Sequence, residues 1–348
     1  MEQHREVPFI RLTGSPRERG LAHGKAAKEL IEKNIAFYKR LLKLDDAVLL
    51  EQAKKLAGVI GSFRPAFVEE MDGIAEGAGI EPAYIYMINA RTELLALGDT
   101  VQSECATFYF PQTSLLFENW DWSEPSKELT VLLHITLPNG NTILTFTEAG
   151  MLGKVGMSSA GFGVAFNYLY PNGKLDGLPI HALLRGLLEC SSYDEALTLL
   201  KNTSLVGTSG NILLANNQGQ ATDFELSGTS TTPISASGNF FAHTNHYIGG
   251  TENDPEAGKG FLHNSFERYT RTQEVLGNLS SYTVADAEQV LTERGPGDGM
   301  LCRDFIPEEA GHTMGTGTIA SIVMDLPNKT MRLALDPQHS KEFTPYQL

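Results

Sequence analysis

The hydrophobic periodicity of this chain first changes at Cys105, where a long helical section gives way to strands, and that change limits the fold more than any other feature. Ahead of it, apolar residues recur at the three- and four-residue spacing of amphipathic helices. Behind it come short apolar runs separated by turn residues, the mark of strands. Ser15-Pro16-Arg17-Glu18 opens the helical part with a capping serine, a proline in the first turn and an acid three residues after the cap. The spacing predicts helices over Gly20–Leu42, from Asp45-Asp46 to near Gly61, through Phe67–Met71, and from Pro82 to near Leu97.

Strands are expected at Cys105–Phe110, Leu115–Asn119, Leu129–Leu137, Thr142–Thr147 and Gly163–Asn167, with Pro138-Asn139-Gly140-Asn141 as a hairpin turn. Helices return at Leu178–Cys190 and Asp194–Lys201, followed by strands Ile212–Ala215 and Ala221–Leu226. Two more helices, Phe261–Leu276 and Ala285–Leu291, precede a closing hairpin of Ile319–Asp325 and Thr330–Leu335. Hairpin-joined strands make antiparallel sheets, and helix pairs set between strand groups layer on them. The expected class is therefore α+β rather than doubly wound. No repeat or linker divides residues 1–348, which read as a single large domain, and the polar loop Gly249–Gly260 reads as a mobile flap.

Composition limits the partners. With 41% hydrophobic and 20% charged residues, the chain has the makeup of a globular protein and not of a disordered one. Lys+Arg 27 against Asp+Glu 42 leaves a net charge of −15, and no basic run stands out. Nucleic acid and anionic membrane are thus not expected as partners. The polar start of the chain and three sparse cysteines, Cys105, Cys190 and Cys302, point to a reducing, cytoplasmic setting.

Familiar catalytic motifs are missing: no G-x-G-x-x-G, Walker A, H-E-x-x-H or C-x-x-C occurs. His243 and His246 lie three apart without a third ligand at a recognised spacing, so they read as a hydrogen-bonded loop pair, and neither metal nor cofactor is expected. Gly156-Met157-Ser158-Ser159 lacks the second glycine of a nucleophile elbow. Cys105 differs from the other cysteines in its downstream neighbourhood, where a short turn leads to Glu118-Asn119-Trp120-Asp121-Trp122. Polar residues between apolar strand neighbours are costly to bury without partners.

A cysteine followed by a strand, a turn and Asn-Trp-Asp-Trp resembles the acyl-coenzyme A:6-aminopenicillanic acid acyltransferase family, a group of N-terminal nucleophile hydrolases. Further blocks are similar in order and spacing: Asn89–Glu93, Gly163–Asn167, Arg185–Cys190 with Tyr193–Ala196, Gly210–Leu214, His243–His246, Ser265–Arg268 and Leu301–Arg303. The resemblance spans roughly residues 10–340. It implies a four-layer αββα sandwich and a precursor that cuts itself between Glu104 and Cys105. A helical small chain, 1–104, and a sheet-rich large chain, 105–348, would then stay together as a heterodimer.

That carry-over fits the chemistry. A free thiol ionises near pH ~8.5, so a nucleophilic cysteine needs a base, and a chain-terminal cysteine brings an α-amine of pKa about 7.7–8.0. The resemblance then gives Asn245 as oxyanion donor, Asp121 as the group that orients the α-ammonium, and Arg303 as a charge near the thiol or a polar part of the substrate. Asn119 and Asn167 would add polarity. Arg91 and Glu93 read either as a helix-surface pair or, being near the cut, as residues that assist it. Some relatives carry Gly before the nucleophile, where this chain has the bulkier, charged Glu104. The implied activity is attack on a small-molecule amide or thioester acyl donor, with an acyl-enzyme passed to water or an amine. Two alternatives stand beside it: a non-catalytic binding or scaffold relative, and an uncleaved thiol hydrolase with His243 or His246 as base.

Overall fold

The computed structural model describes residues 6–96, 105–169, 177–203, 206–227, 230–236, 238–249, 264–295, 297, 300–305 and 315–348. Glu104 and most of the loop expected as a flap lie outside the described residues.

The capping box at Ser15 and Glu18 forms as expected and starts α1, Pro16–Ala26. The helix expected over Gly20–Leu42 is broken at Ala27, and α2 runs Lys28–Leu42. The reason lies in packing. Gly20 and Gly24 press α1 onto α4, Pro65–Ala78, while α2 buries Ile31, Ile35 and Tyr38 elsewhere in the core. One straight helix cannot serve both surfaces. Between them in sequence lies α3, Asp46–Phe63, and the region ends in α5, Pro82–Asn89, and α6, Arg91–Ala96, again two helices where one was expected.

Among the described residues the strands form two sheets. The first orders eight strands as β1-β4-β5-β6-β7-β8-β9-β10: Phe9–Leu12, Thr130–Thr136, Thr142–Glu148, Val155–Ser158, Phe162–Tyr168, Gly210–Asn216, Ala221–Leu226 and Thr231–Ser235. The second orders six as β11-β2-β3-β12-β13-β14: Phe241–His243, Ala106–Phe110, Leu115–Ser123, Thr316–Asp325, Thr330–Leu335 and Thr344–Gln347. All pairings are antiparallel except β1 with β4. The sheets lie face to face: Asn167 of β7 bonds Thr107 of β2 at 3.0 Å, and Leu116 and Leu326 close over Gly163. Helices α7 and α8, Ile180–Leu188 and Tyr193–Asn202, cover the first sheet. Helices α9 and α10, Ser265–Gly277 and Val284–Leu291, cover the second, burying Phe108, Phe110 and Phe117. The fold is the expected α+β, αββα arrangement.

Strand β3 runs on through Ser123 rather than stopping at Asn119, so Asn119 and Asp121 both sit in the ladder. A bulge between Thr318 and Ala320 faces Asp121 and Trp120 and lets the strand twist there. The N-terminal helices are tied to the rest by buried charge. Glu70 of α4 receives Arg19 of α1 at 2.6 Å and Arg185 of α7 at 3.1 Å.

The α1–α4 contact leaves no room for a side chain, since a Cβ at Gly24 would stand 2.1 Å from the carbonyl oxygen of Ile74. Gly24→Ala is expected to lower stability by at least about 1–3 kcal/mol. Gly58→Ala, on α3 with open space around it, should be neutral or gain up to about 1 kcal/mol. Thermal unfolding of the two variants checks this, and equal Tm values would contradict it.

Candidate active site

Cys105 immediately precedes β2, which lies between β11 and β3 in the second sheet, and is 1% exposed. Its thiol points at the backbone oxygen of Asp121, 3.8 Å away. Its own carbonyl accepts a 3.0 Å hydrogen bond from Arg268 Nη1. The same guanidinium donates from Nη2 to Asn245 Oδ1 at 2.6 Å, and from Nε to Asn264 Oδ1 at 3.2 Å. Asn245 is held from two further sides: its Nδ2 donates to the Tyr168 carbonyl at 2.9 Å, and its backbone N–H donates to Ser265 Oγ at 2.9 Å. Arg268 thus ties the main chain of Cys105 to two distant asparagines.

Asp121 projects from β3 with Arg303 Nη1 3.8 Å from its Oδ2. Burial pushes its carboxyl up to about 7, against the opposing pull of the Arg268 charge and the Thr318 hydroxyl. Burial also pushes Arg303 down to about 10. The Arg303 backbone is fixed by Thr318 Oγ1 at 2.8 Å and by Gln338 Nε2 at 2.6 Å. The neighbouring Asp304 pairs with Arg294.

The two remaining asparagines separate. Asn167 donates to Thr107 Oγ1 at 3.0 Å and to the carbonyls of His243 and Thr244 at 3.1 and 3.2 Å. It thereby pins the loop that carries Asn245 to Thr107, two residues after Cys105. Asn119 points the other way. Its amide donates to the carbonyls of Leu291 and Leu301 at 2.9 and 2.8 Å and accepts from Ser321 Oγ at 2.6 Å. It shares a face of β3 with Asp121, but its amide is spent on the end of α10 and on Leu301, which anchors that layer.

The histidines are taken up elsewhere. His243 sits between Glu225 Oε1 at 3.0 Å and the Thr244 carbonyl at 2.8 Å. Its pKa is raised: burial opposes the charge, but Asp223 and Glu225 outweigh it. His246 bonds Ser265 Oγ at 2.8 Å and stacks on Phe266, and burial pushes it down to about 3. Among the described residues no cluster of three or more metal-ligating side chains occurs.

Sequence reasoning gives Arg268 no role of its own, because nothing local in Ser265–Arg268 marks it. The signal was its phase: Ser265, Arg268, Thr272 and Leu276 recur on the buried face of α9. On the opposite side of Cys105 lies a second charged group of residues. Lys154 lies with its Nζ 3.2 Å from the centre of the Trp120 ring. Glu118 accepts the Phe166 N–H at 3.0 Å, where β7 runs past the start of β6 and its amide lacks a ladder partner. Arg91 pairs with Glu148 at 2.8 Å, and Tyr38 joins that carboxylate at 2.7 Å. Arg91, Lys154, Trp122, Phe166, Tyr168 and His181 line a crevice there.

Comparison with known proteins gives four findings. The family pattern described as acyl-coenzyme A:6-aminopenicillanic acid acyl-transferase matches residues 110–339. The chain is 34% identical over 321 residues to the acyl-coenzyme A:6-aminopenicillanic-acid-acyltransferase 40 kDa form of Emericella nidulans, covering 90% of this chain and 88% of that one. It is 29% identical over 192 residues to acid ceramidase of Homo sapiens, covering 48% of this chain and 49% of that one. Among solved structures, a variant of conjugated bile acid hydrolase from Clostridium perfringens aligns with TM-score 0.48 at 11% identity, over 70% of this chain and 92% of that one.

The Glu118 carboxyl, ordinarily 4.5, is pushed up to about 7 by burial. The folded chain therefore holds this proton more tightly than the unfolded chain. Stability from this group is full below about 4.5 and is lost as pH rises through about 7. Glu118→Gln keeps an acceptor for Phe166 and removes the titration. Its Tm is expected to fall less than that of wild type between pH 5 and pH 8, the pH-dependent loss of stability differing by at most about 3 kcal/mol. Parallel Tm–pH curves would contradict the assignment.

Proposed function

The chain belongs to the acyl-coenzyme A:6-aminopenicillanic acid acyltransferase family, and from that premise we propose that Cys105 is the nucleophile of a self-processing amidohydrolase or acyltransferase. As a member of this family it is an enzyme of acyl transfer or amide hydrolysis. The observation that carries the finer reading is one buried cysteine at a strand start whose thiol faces the Asp121 carbonyl and whose own carbonyl is joined to Asn245 through Arg268.

In the uncut chain the thiol attacks the carbonyl of Glu104, and the peptide nitrogen of Cys105 leaves as the new α-amine. The Glu104 ester on sulfur is then hydrolysed by water, which frees the thiol. In the mature enzyme that α-amine takes the thiol proton, so no histidine base is needed. The thiolate adds to the substrate carbonyl, and the amine half leaves with the proton. Asn245 Nδ2 has two N–H groups and spends one on Tyr168, so the second is available to the oxyanion. An oxyanion donor of this kind lowers the barrier by about 3–4 kcal/mol. Asp121, beside the thiol through its own carbonyl, holds the α-ammonium, and Arg303 keeps Asp121 in place. Water or a second amine then resolves the thioester on Cys105.

The uncleaved thiol hydrolase draws no support from the histidines. His243 is held by Glu225 and Thr244, and His246 by Thr244 and Ser265.

Mass analysis of freshly purified, denatured protein is expected to give two chains of 104 and 244 residues, the larger beginning Cys-Ala-Thr. Cys105→Ala should leave one chain of 348 residues and no activity. An unbroken wild-type chain that nonetheless turns over amides would contradict self-processing.

A further inference from the structure

The self-cleavage step needs a base that the mature enzyme does not. In the uncut chain the nitrogen of Cys105 is an amide, so the α-amine that later takes the thiol proton does not yet exist. His243 is held by Glu225 and Thr244, and His246 by Thr244 and Ser265. The Asp121 side chain lies on the face of β3 that carries Asn119, with Arg303 beside it.

The register of β2 on β3 shows what shares a face with the thiol. Ala106 pairs with Asn119 and Thr107 with Glu118, so one step further Cys105 stands opposite Trp120. Opposite residues in an antiparallel pair share a face, with Cβ atoms about 4.5–5.5 Å apart. This face turns to the first sheet. Trp120 packs edge-on against Phe146 of β5, Glu118 accepts from the Phe166 amide of β7, and Thr107 accepts from Asn167. Lys154, one residue ahead of β6, comes from that sheet and sets its Nζ 3.2 Å from the centre of the Trp120 ring. Its main chain is fixed on both sides: its N–H donates to Thr145 Oγ1 at 3.1 Å, and that hydroxyl donates to the Val155 carbonyl at 2.9 Å. The amine of Lys154 and the thiol of Cys105 thus share one indole.

Burial lowers Lys154 to about 8, against the opposing pull of Cys105, Glu118 and Glu148 and with Arg91 adding to the fall. Asp121 and His181 feel the Lys154 charge in turn. A lysine in that range is partly free base near neutral pH, as a general base must be.

We propose that Lys154 is the proton acceptor of self-cleavage: its neutral amine takes the Cys105 thiol proton as Sγ adds to the Glu104 carbonyl, and its ammonium returns that proton to the Cys105 nitrogen as the peptide bond breaks. One S–C bond forms and one C–N bond breaks, which leaves Glu104 as an ester on sulfur, Cys105 with a free amine and Lys154 neutral again. This rests on the proposed function, in which Cys105 cuts the bond ahead of itself.

Chains made by cell-free translation with labelled methionine, then stopped from further synthesis, report the cut as conversion of 348 residues into 104 and 244. Lys154→Ala and Lys154→Met should each slow this at least about a hundredfold. Lys154→Arg should be equally slow, because arginine keeps the charge but does not give up its proton. Methylamine should restore cutting to Lys154→Ala, through the space the side chain leaves, in proportion to the free amine. It should do nothing for Lys154→Met, and tetramethylammonium should do nothing for either. Recovery with a small amine also reports that the variant folds. Glu118→Gln should still cut. Wild-type rates in Lys154→Ala or Lys154→Arg, loss of cutting in Glu118→Gln alone, or a Lys154→Ala chain that methylamine leaves uncut would overturn the proposal and leave Cys105 as the nucleophile. A wild-type chain that never cuts would instead overturn the self-processing on which the proposal rests.

Discussion

The guanidinium of Arg268, fully buried in α9, fixes the geometry around Cys105. It donates to the backbone of Cys105 at the start of β2 and to Asn245 in the loop after β11. Three stretches of chain, two of them more than a hundred residues from Cys105 in sequence, thereby share one cation. Burying such a group is expensive unless its donors are used. Here they are, and the Asp121 charge compensates in part, as the direction of the Arg268 shift records: burial lowers its pKa while Asp121 and Cys105 raise it. Ser265, on the same helix face, holds the other end of the Asn245 loop. The second sheet can present a cysteine at a strand entrance because α9 clamps that entrance from outside.

The two sides of the thiol have different electrostatics. On the α9 side, Asp121 sits with Arg268 and Arg303, and burial brings its carboxyl to about 7. On the α6 side, burial brings Glu118 to about 7 and Lys154 to about 8. Groups whose charge states change near neutrality thus surround a nucleophile that must lose and regain a proton. The same burial that shifts them removes stability, which the rest of the fold offsets. The Arg19–Glu70–Arg185 cluster and the tight α1–α4 packing lie away from the thiol and are free to serve stability alone.

Much of the fold was legible because its signals are local. The capping box at Ser15, the Asn139-Gly140 turn and the alternation in β2, β5 and β13 each depend on neighbouring residues. What was not legible depends on distant partners. Strand β1 has four residues, and its partner β4 lies more than a hundred positions away. Strand β6 is equally short. The breaks at Ala27 and Ala90 arise from surfaces that different parts of one long apolar pattern must cover. In the site, Cys105, Asp121, Asn245 and Arg303 were reached through the motif order, and the structure gathers them in one region. Asn119 looked equivalent to Asp121 in Asn-Trp-Asp-Trp, but its carbonyl partners at Leu291 and Leu301 are invisible to a local reading. Lys154 gave no signal, since nothing in Leu152-Gly153-Lys154-Val155 shows that Trp120 and the crevice lie over it.

The most direct measurement of the central claim is the location of the acyl group during turnover. Enzyme mixed with an excess of an activated acyl anilide, stopped in acid within one turnover and digested, should carry a single thioester-linked acyl group on the peptide that contains Cys105. Cys190 and Cys302 should stay unmodified. An acyl group on another residue, or turnover with no adduct on Cys105 at any time, would contradict the account.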